Sequence, residues 1–483
     1  MSLDFLKSAL TVDGYHMSNE EFLAWLQERK QSIGVKITKI PFADMDHWYF
    51  DEVTQNLRHS SGKFFSIEGI EVETNWGHNP RWTQPIINQN EIGYLGILAK
   101  KFDGILHFLM QCKIEPGNIN FVQLSPTLQA TKSNYSQVHK GNPPRYLEYF
   151  LKERRSRSKV LLDQLQSEQG ARFLKKRNRN IIIQVDEDIV VQDDFCWLTL
   201  GQIHNLLRLN NVINMDTRTV ISGIPFGSYG REAIELYDTL RSTFHSDIEY
   251  QSGMLYSALE FDNHLNSSAE IISWFTELKA QYELTVKRIP LVDLEEWTIT
   301  DTEISHNEGK YFKVIGVEAE ISNREVSAWT QPIVESVQHG IIAFVVKKIN
   351  GVYHFLVQAK LEAGNLDILE MAPTVQCLTG NYRTNTAEEE TVYVPPFLDF
   401  VLKSIKSGNG VLYQTFQSEE GGRFYKEQNE SVIIEAPDDF PEDIPENYTW
   451  MTLNQLKLFI RFNNYLNIQA RSLISVIRFN RHD

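Results

Sequence analysis

Residues 81–86 read RWTQPI, and residues 328–333 read AWTQPI. The shared letters Trp, Thr, Gln, Pro and Ile stand 247 positions apart, and the match grows in both directions. Upstream, SNEEFLAWLQ (from Ser18) parallels SSAEIISWFT (from Ser267), VKITKIPFADMDHW parallels LTVKRIPLVDLEEW, and GKFFSIEGIEVE parallels GKYFKVIGVEAE. Downstream, FLMQCKIEPGNIN meets FLVQAKLEAGNLD, LSPTLQATKSNY meets MAPTVQCLTGNY, and QSEQGARF meets QSEEGGRF. Near the two ends of the match WLTLGQIHNLLRLNN meets WMTLNQLKLFIRFNN. So long a period is no solenoid. The chain is one domain written twice, with repeats expected over residues 1–222 and 267–483 and a linker carrying a helix over 223–266.

Composition narrows the class. The 483 residues are 42% hydrophobic and 23% charged, as in a globular protein. No apolar run of about 18 residues is present, so no membrane span is expected. The opening MSLDFLKSALTVDGYH lacks the apolar core of a secretory signal. Three scattered cysteines form no CxxC pair, which favours a reducing cytoplasm over a disulfide or zinc framework. The net charge of −16 argues against nucleic-acid binding. That charge is uneven: residues 1–240 hold 27 Lys+Arg against 28 Asp+Glu, and the remainder holds 20 against 35.

Each repeat opens on a Ser three residues ahead of a Glu, a capping box that predicts a helix. Asp103-Gly104 and Asn350-Gly351 sit between β-rich runs and predict tight hairpins, because both turn positions need positive φ. RYLEYFLKERRSRSKVL and REAIELYDTLRSTF read as helices. Helices with a mixed sheet in each repeat make an α+β fold.

The strand after each hairpin is the best candidate for chemistry. Alternation puts Phe108, Met110, Cys112 and Ile114 on one face. The other face holds His107, Leu109, Gln111, Lys113 and Glu115, repeated as His354, Leu356, Gln358, Lys360 and Glu362. A solvated edge strand would show such a polar face too. Duplication has nevertheless kept Gln, Lys and Glu while the apolar face drifted, which favours a pocket. The turn EPGN contributes Gly117 and Asn118, matched by Gly364 and Asn365; plain turn chemistry accounts for the glycine. The polar loop that follows carries Gln129, Lys132, Asn134, Tyr135 and His139, of which only Gln376, Asn381 and Tyr382 recur. Arg172 and Arg423 read as phosphate forks or structural ion pairs. Trp82 and Trp329 read as core residues or as stacking platforms. GxGxxG, Walker, GxSxG and HExxH signatures are missing.

WTQPI, FLMQCKIEPGN, QLSPTLQATKSNY, VHKG, YLEYF and GARFLKKRNRNIII resemble the first half of the NDP-hexose 2,3-dehydratase family. AWTQPI, LVQAKLEAGNLD, APTVQC and EEGGRFY resemble its second half, with Ala363 departing from EPGN. The resemblance covers about residues 18–475. It implies two tandem Nudix-hydrolase-like domains, a homodimer, and two nucleotide-sugar pockets of which one is active. It also implies removal of the C2 hydroxyl of dTDP-4-keto-6-deoxyglucose without cofactor or metal. Carried onto these residues, Glu115 or Tyr135 supplies acid and base, with His139 in reserve, and Lys113 or Gln111 steadies the oxyanion. Arg172 and Lys132 meet the diphosphate, and Trp82, with Thr83, Gln84, Asn118, Gln129 and Asn134, binds the rest. The second pocket is expected from Trp329, Gln331, Gln358, Lys360, Glu362, Asn365, Gln376, Asn381, Tyr382 and Arg423. The basic flank of Arg81, Lys132, His139 and Lys140 favours the first repeat as the working one. The rival readings are a metal-dependent Nudix-type hydrolase and a non-catalytic nucleotide-sugar binder.

Overall fold

The computed structural model describes residues 2–135, 143–151, 158–226, 249–259, 263–322, 326–378, 394–441 and 443–479. The expected helix at 231–244 lies outside them, as do His139, Lys140, Asn381 and Tyr382 and the side chains of Asn134 and Tyr135.

Local expectations hold at several points. Ser18 and Glu21 close a capping box on the helix Asn19–Ser32, and Ser267 and Glu270 close its copy on Ser268–Gln281. Asp103 and Gly104 take φ of 48° and 78°, and Asn350 and Gly351 take 52° and 83°. The helix read from residue 145 does not run on as expected. Leu147–Phe150 is helical, and Lys159–Ser167 is a strand. The last residues of that stretch, Lys159, Val160 and Leu161, open this strand, which pairs with Arg177–Gln184 instead. The helix Glu249–Leu259 lies inside the stretch read as linker. Its Ser257 hydroxyl donates to Tyr353 O and accepts from Leu453 N, as Ser8 bridges Leu106 O and Leu200 N in the opening helix Ser2–Leu10.

Among the described residues each repeat builds a seven-stranded mixed sheet. In the first, Lys159–Ser167, Arg177–Gln184, Gly93–Phe102, Ile105–Ile114 and Phe195–Thr199 lie side by side, with Arg177–Gln184 parallel to Gly93–Phe102. Phe108, Met110, Cys112 and Ile114 face the largest core, and Leu109 faces a second one, so both sides of the strand are covered.

The two smaller, five-stranded sheets mix the repeats. Val35–Ile40 runs antiparallel to Phe312–Ile321 of the second repeat. Leu284–Ile289 runs antiparallel to Ser66–Thr74 of the first. Each repeat thus lends its first strand to the other. The chain that follows each exchanged strand also bonds to the WTQPI strand of the other repeat: Trp48 Nε1 donates to Thr330 O at 3.0 Å, and Trp297 Nε1 donates to Thr83 O at 3.0 Å. Two fully buried arginines complete the crossing. Arg218 donates to Ser418 O and Ser472 Oγ, and Arg471 donates to Ser167 O and Thr219 Oγ1. No described helix is long and apolar enough to cross a membrane.

Candidate active site

The strand Ile105–Ile114 ends at a cavity of about 980 Å³. Gln111, Lys113, Glu115 and Gln129 line it, so in the first repeat the Gln-Lys-Glu end of the polar face is a pocket wall and not a solvated edge, while Leu109 packs in a core and His107 accepts from Tyr15 N. Gln129 Nε2 donates to Glu115 Oε1 at 2.7 Å, and Lys113 Nζ stands 3.9 Å from the same oxygen. Glu115 is 4% exposed, and its Oε2 is buried with no partner among the described residues. Asn214, the N-cap of Met215–Ser222, holds Gln129 Oε1 at 3.2 Å, which fixes the side-chain amide.

Strand exchange brings the rest of the wall from the second repeat. Trp329, Gln331, Glu420 and Arg423 all line this cavity. The EEGGRF loop is pinned against the EPGN turn by Gly117 N donating to Gly421 O and Lys426 N donating to Gly117 O, both at 2.7 Å. A Cβ on Gly117 would stand 1.6 Å from Phe424 O, so the glycine serves a crossing of two loops rather than a turn angle. Gln331 Nε2 donates to Gly422 O, and the Arg423 guanidinium lies 4.1 Å from the Phe65 ring centre. Trp329 and Gln331 hydrogen-bond each other at 2.9 Å.

The counterparts go to the opposite side. Arg172 lies over the Phe312 ring at 4.0 Å and faces Glu362, Glu419 and Glu427. Gln84 Nε2 donates to Ala171 O, and Trp82 donates to Gln84. Thr83 exchanges hydrogen bonds with the Glu295 backbone. Asn118 holds its own turn through Phe121 O. Lys132 is exposed and does not line the cavity. Arg81 grips Glu71 and Glu295, so its charge is spent away from the pocket. In the second repeat Lys360 donates to Gln376 O at 2.7 Å, Gln376 donates to Glu362, and Asn467 donates to Gln376. Asn365 and Gln358 lie beside them: Gly170 packs on Asn365, and Gln358 donates to Pro373 O.

Sequence reasoning passed over Asp216, Glu168, Lys176 and Glu420, which also line the first cavity. Burial together with the carboxylates of Glu420, Glu115 and Glu168 pushes Asp216 well above the usual carboxylate range. Burial and Glu115 push Glu420 up to about 8, and burial lowers Lys176 to about 8. The readable signal was a difference between the copies. Asp216 aligns with Gln469, Glu420 with Gln169, and Lys176 with Glu427. Among the described residues no group of His, Cys, Asp and Glu is disposed to hold a metal ion.

A family model described as NDP-hexose 2,3-dehydratase matches residues 19–224 and again 268–477. Among curated relatives, a dTDP-4-dehydro-6-deoxy-alpha-D-glucopyranose 2,3-dehydratase of Saccharopolyspora spinosa is 47% identical over 98% of this chain and 93% of its own length. Proteins of the same name from Amycolatopsis orientalis and Streptomyces violaceoruber are 44% and 42% identical. They cover 97% and 95% of this chain, and 92% and 96% of their own lengths.

Proposed function

The chain belongs to the NDP-hexose 2,3-dehydratase family, and from that membership we propose that it dehydrates dTDP-4-keto-6-deoxyglucose to a 3,4-diketo-2,6-dideoxy sugar nucleotide. The observation that carries this reading is end-to-end kinship, through both repeats, with enzymes named for that reaction.

The cavity suits the chemistry. The C4 ketone acidifies the proton on C3. A base removes it, the electron pair forms the C3–C4 enolate, and the enolate expels the C2 hydroxyl as water once an acid protonates it. The resulting enol gains a proton at C2 and becomes a ketone at C3. A base, an acid and a cation near the C4 oxygen are required. Glu115 serves as the base on this reading, supported by its buried oxygen that has no partner among the described residues. Lys113, 8% exposed beside it, steadies the C4 oxyanion on the same reading. Arg423 and Lys176 offer charge to the diphosphate, and Trp329 offers an aromatic face at the rim. In this cavity Arg423 and Trp329 take the parts that the sequence assigned to Arg172 and Trp82.

The large sheets are Nudix-like bodies on this reading, the units of duplication are 1–222 and 267–483, the protein is a homodimer, and only the first cavity turns over. Support for the last point is the carboxyl set of that cavity, replaced in part by amides in the other copy. The test is incubation with dTDP-4-keto-6-deoxyglucose and EDTA, followed by reduction and sugar analysis. Loss of water in the presence of EDTA is expected. Release of nucleotide that depends on Mg²⁺ would point to hydrolysis and sink the reading.

A further inference from the structure

Two carboxyl groups from different repeats line the same cavity. Asp216 sits in the first turn of Met215–Ser222, 2% exposed. Glu420 stands on the EEGGRF loop, where the loop is pinned to the EPGN turn beneath Glu115. Both line the cavity with Glu115, whose unpartnered oxygen marks the place a substrate group would fill. We propose that Asp216 and Glu420 share one proton and form the general acid that protonates the departing C2 hydroxyl, so that the second repeat supplies a catalytic residue to the first.

The proposal rests on the dehydration reading. Its physical ground is that neighbouring carboxylates in a buried site do not both ionise readily, and the pair retains a proton near neutral pH. The charged groups facing the pair are Glu115 and Lys113 from the central strand, Glu168 from the Ser167–Arg177 loop, and Arg423 from Glu420's own loop. A dianionic diphosphate nearby would hold the shared proton more firmly still. The other copy makes the point by contrast. Its matching positions are Gln469 and, lent by the first repeat, Gln169. An amide fills the space of a carboxylic acid but carries no acidic proton. In the step proposed, Glu115 takes the C3 proton, the C2–O bond breaks, and the acid pair's proton leaves with the hydroxyl as water. No oxidant or reductant is consumed, since C3 is oxidised as C2 is reduced.

The test separates the two proton transfers. Wild type and Glu420→Gln are incubated with the substrate in D2O, and deuterium entering C3 is followed beside loss of water. Glu420→Gln is expected to lose dehydration by about 100-fold or more while still exchanging the C3 proton, because the base is intact. Loss of both, or of neither, overturns the assignment. A wild type that does not dehydrate the sugar overturns the reaction itself, and the acid with it. Asp216→Asn guards against a folding artefact at the loop. With one carboxyl gone, Glu420 loses its proton more easily, so the alkaline limb of kcat should move to lower pH. An unmoved limb overturns the shared proton.

Discussion

Gly117 and Gly364 do not need glycine for their backbone angles, since neither takes a positive φ. They need it for space: a Cβ would stand 1.6 Å from Phe424 O at the first and 1.8 Å from Phe173 O at the second. Gly117→Ala should therefore destabilise the protein by about 1–3 kcal/mol and should also disturb the loop that bears Glu420. Urea unfolding and dehydration rates check both effects. At Glu115 the two copies can be compared directly. Glu115→Gln should cut turnover by about 100-fold or more, while Glu362→Gln should leave it near wild type. Equal losses from both would contradict a single working cavity. Residues of this kind were half legible. The identical Gln, Lys and Glu of the central strand pointed at the wall of a pocket. Asp216 and Glu420 were hidden because the copies were searched for agreement, and at these two cavity positions they differ. Arg172 and Arg423 carry the same letter at matched places, yet Arg423 lines the cavity while Arg172 lies over Phe312 near Glu362, a difference no alignment of one chain to itself contains.

Among elements, the capped helices and hairpins were readable because their causes are local: a Ser three residues before a Glu, or a turn that demands positive φ. The exchanged strands were not. Val35–Ile40 and Leu284–Ile289 have the same alternating exposure, and nothing within either says which sheet it joins. Each exchange is secured by a tryptophan. Trp48→Phe and Trp297→Phe should each cost about 1 kcal/mol for the lost hydrogen bond to a WTQPI carbonyl, read as shifts in the urea midpoint. The helix Leu453–Phe459 carries another testable group. Lys457 is buried against Ser222 O and the Phe226 ring, and burial lowers it to about 7. The unfolded chain keeps that proton up to an ordinary lysine pKa of ~10.4. Stability should thus rise from about pH 7 to about pH 10, with a slope of up to about 1.4 kcal/mol per pH unit from this residue. Lys457→Met should flatten that rise in denaturant titrations at successive pH values.

Across the whole molecule, the cavity is assembled from residues more than 300 positions apart, Glu115 on one side and Glu420 on the other. Residues 1–226 alone lack Glu420, Arg423, Trp329 and the strand Leu284–Ile289. That fragment should be inactive, and co-expression with residues 227–483 should restore dehydration. Duplication was plain from the letters, yet two beads on a string was the natural picture, because sequence similarity reports kinship and says nothing of crossing.

The reciprocal loan of strands and loops has an evolutionary consequence. Two identical copies meeting this way as separate chains would own two identical sites, and any change would strike both. Joined in one chain, every position exists in two independent versions, and each site takes its body from one version and its closing loop from the other. A Glu-to-Gln difference between residues 420 and 169 therefore alters one site and spares the other. Fusion freed the two halves to diverge while leaving each dependent on the other for its shape, so neither half can be discarded without unmaking the sheet of its partner.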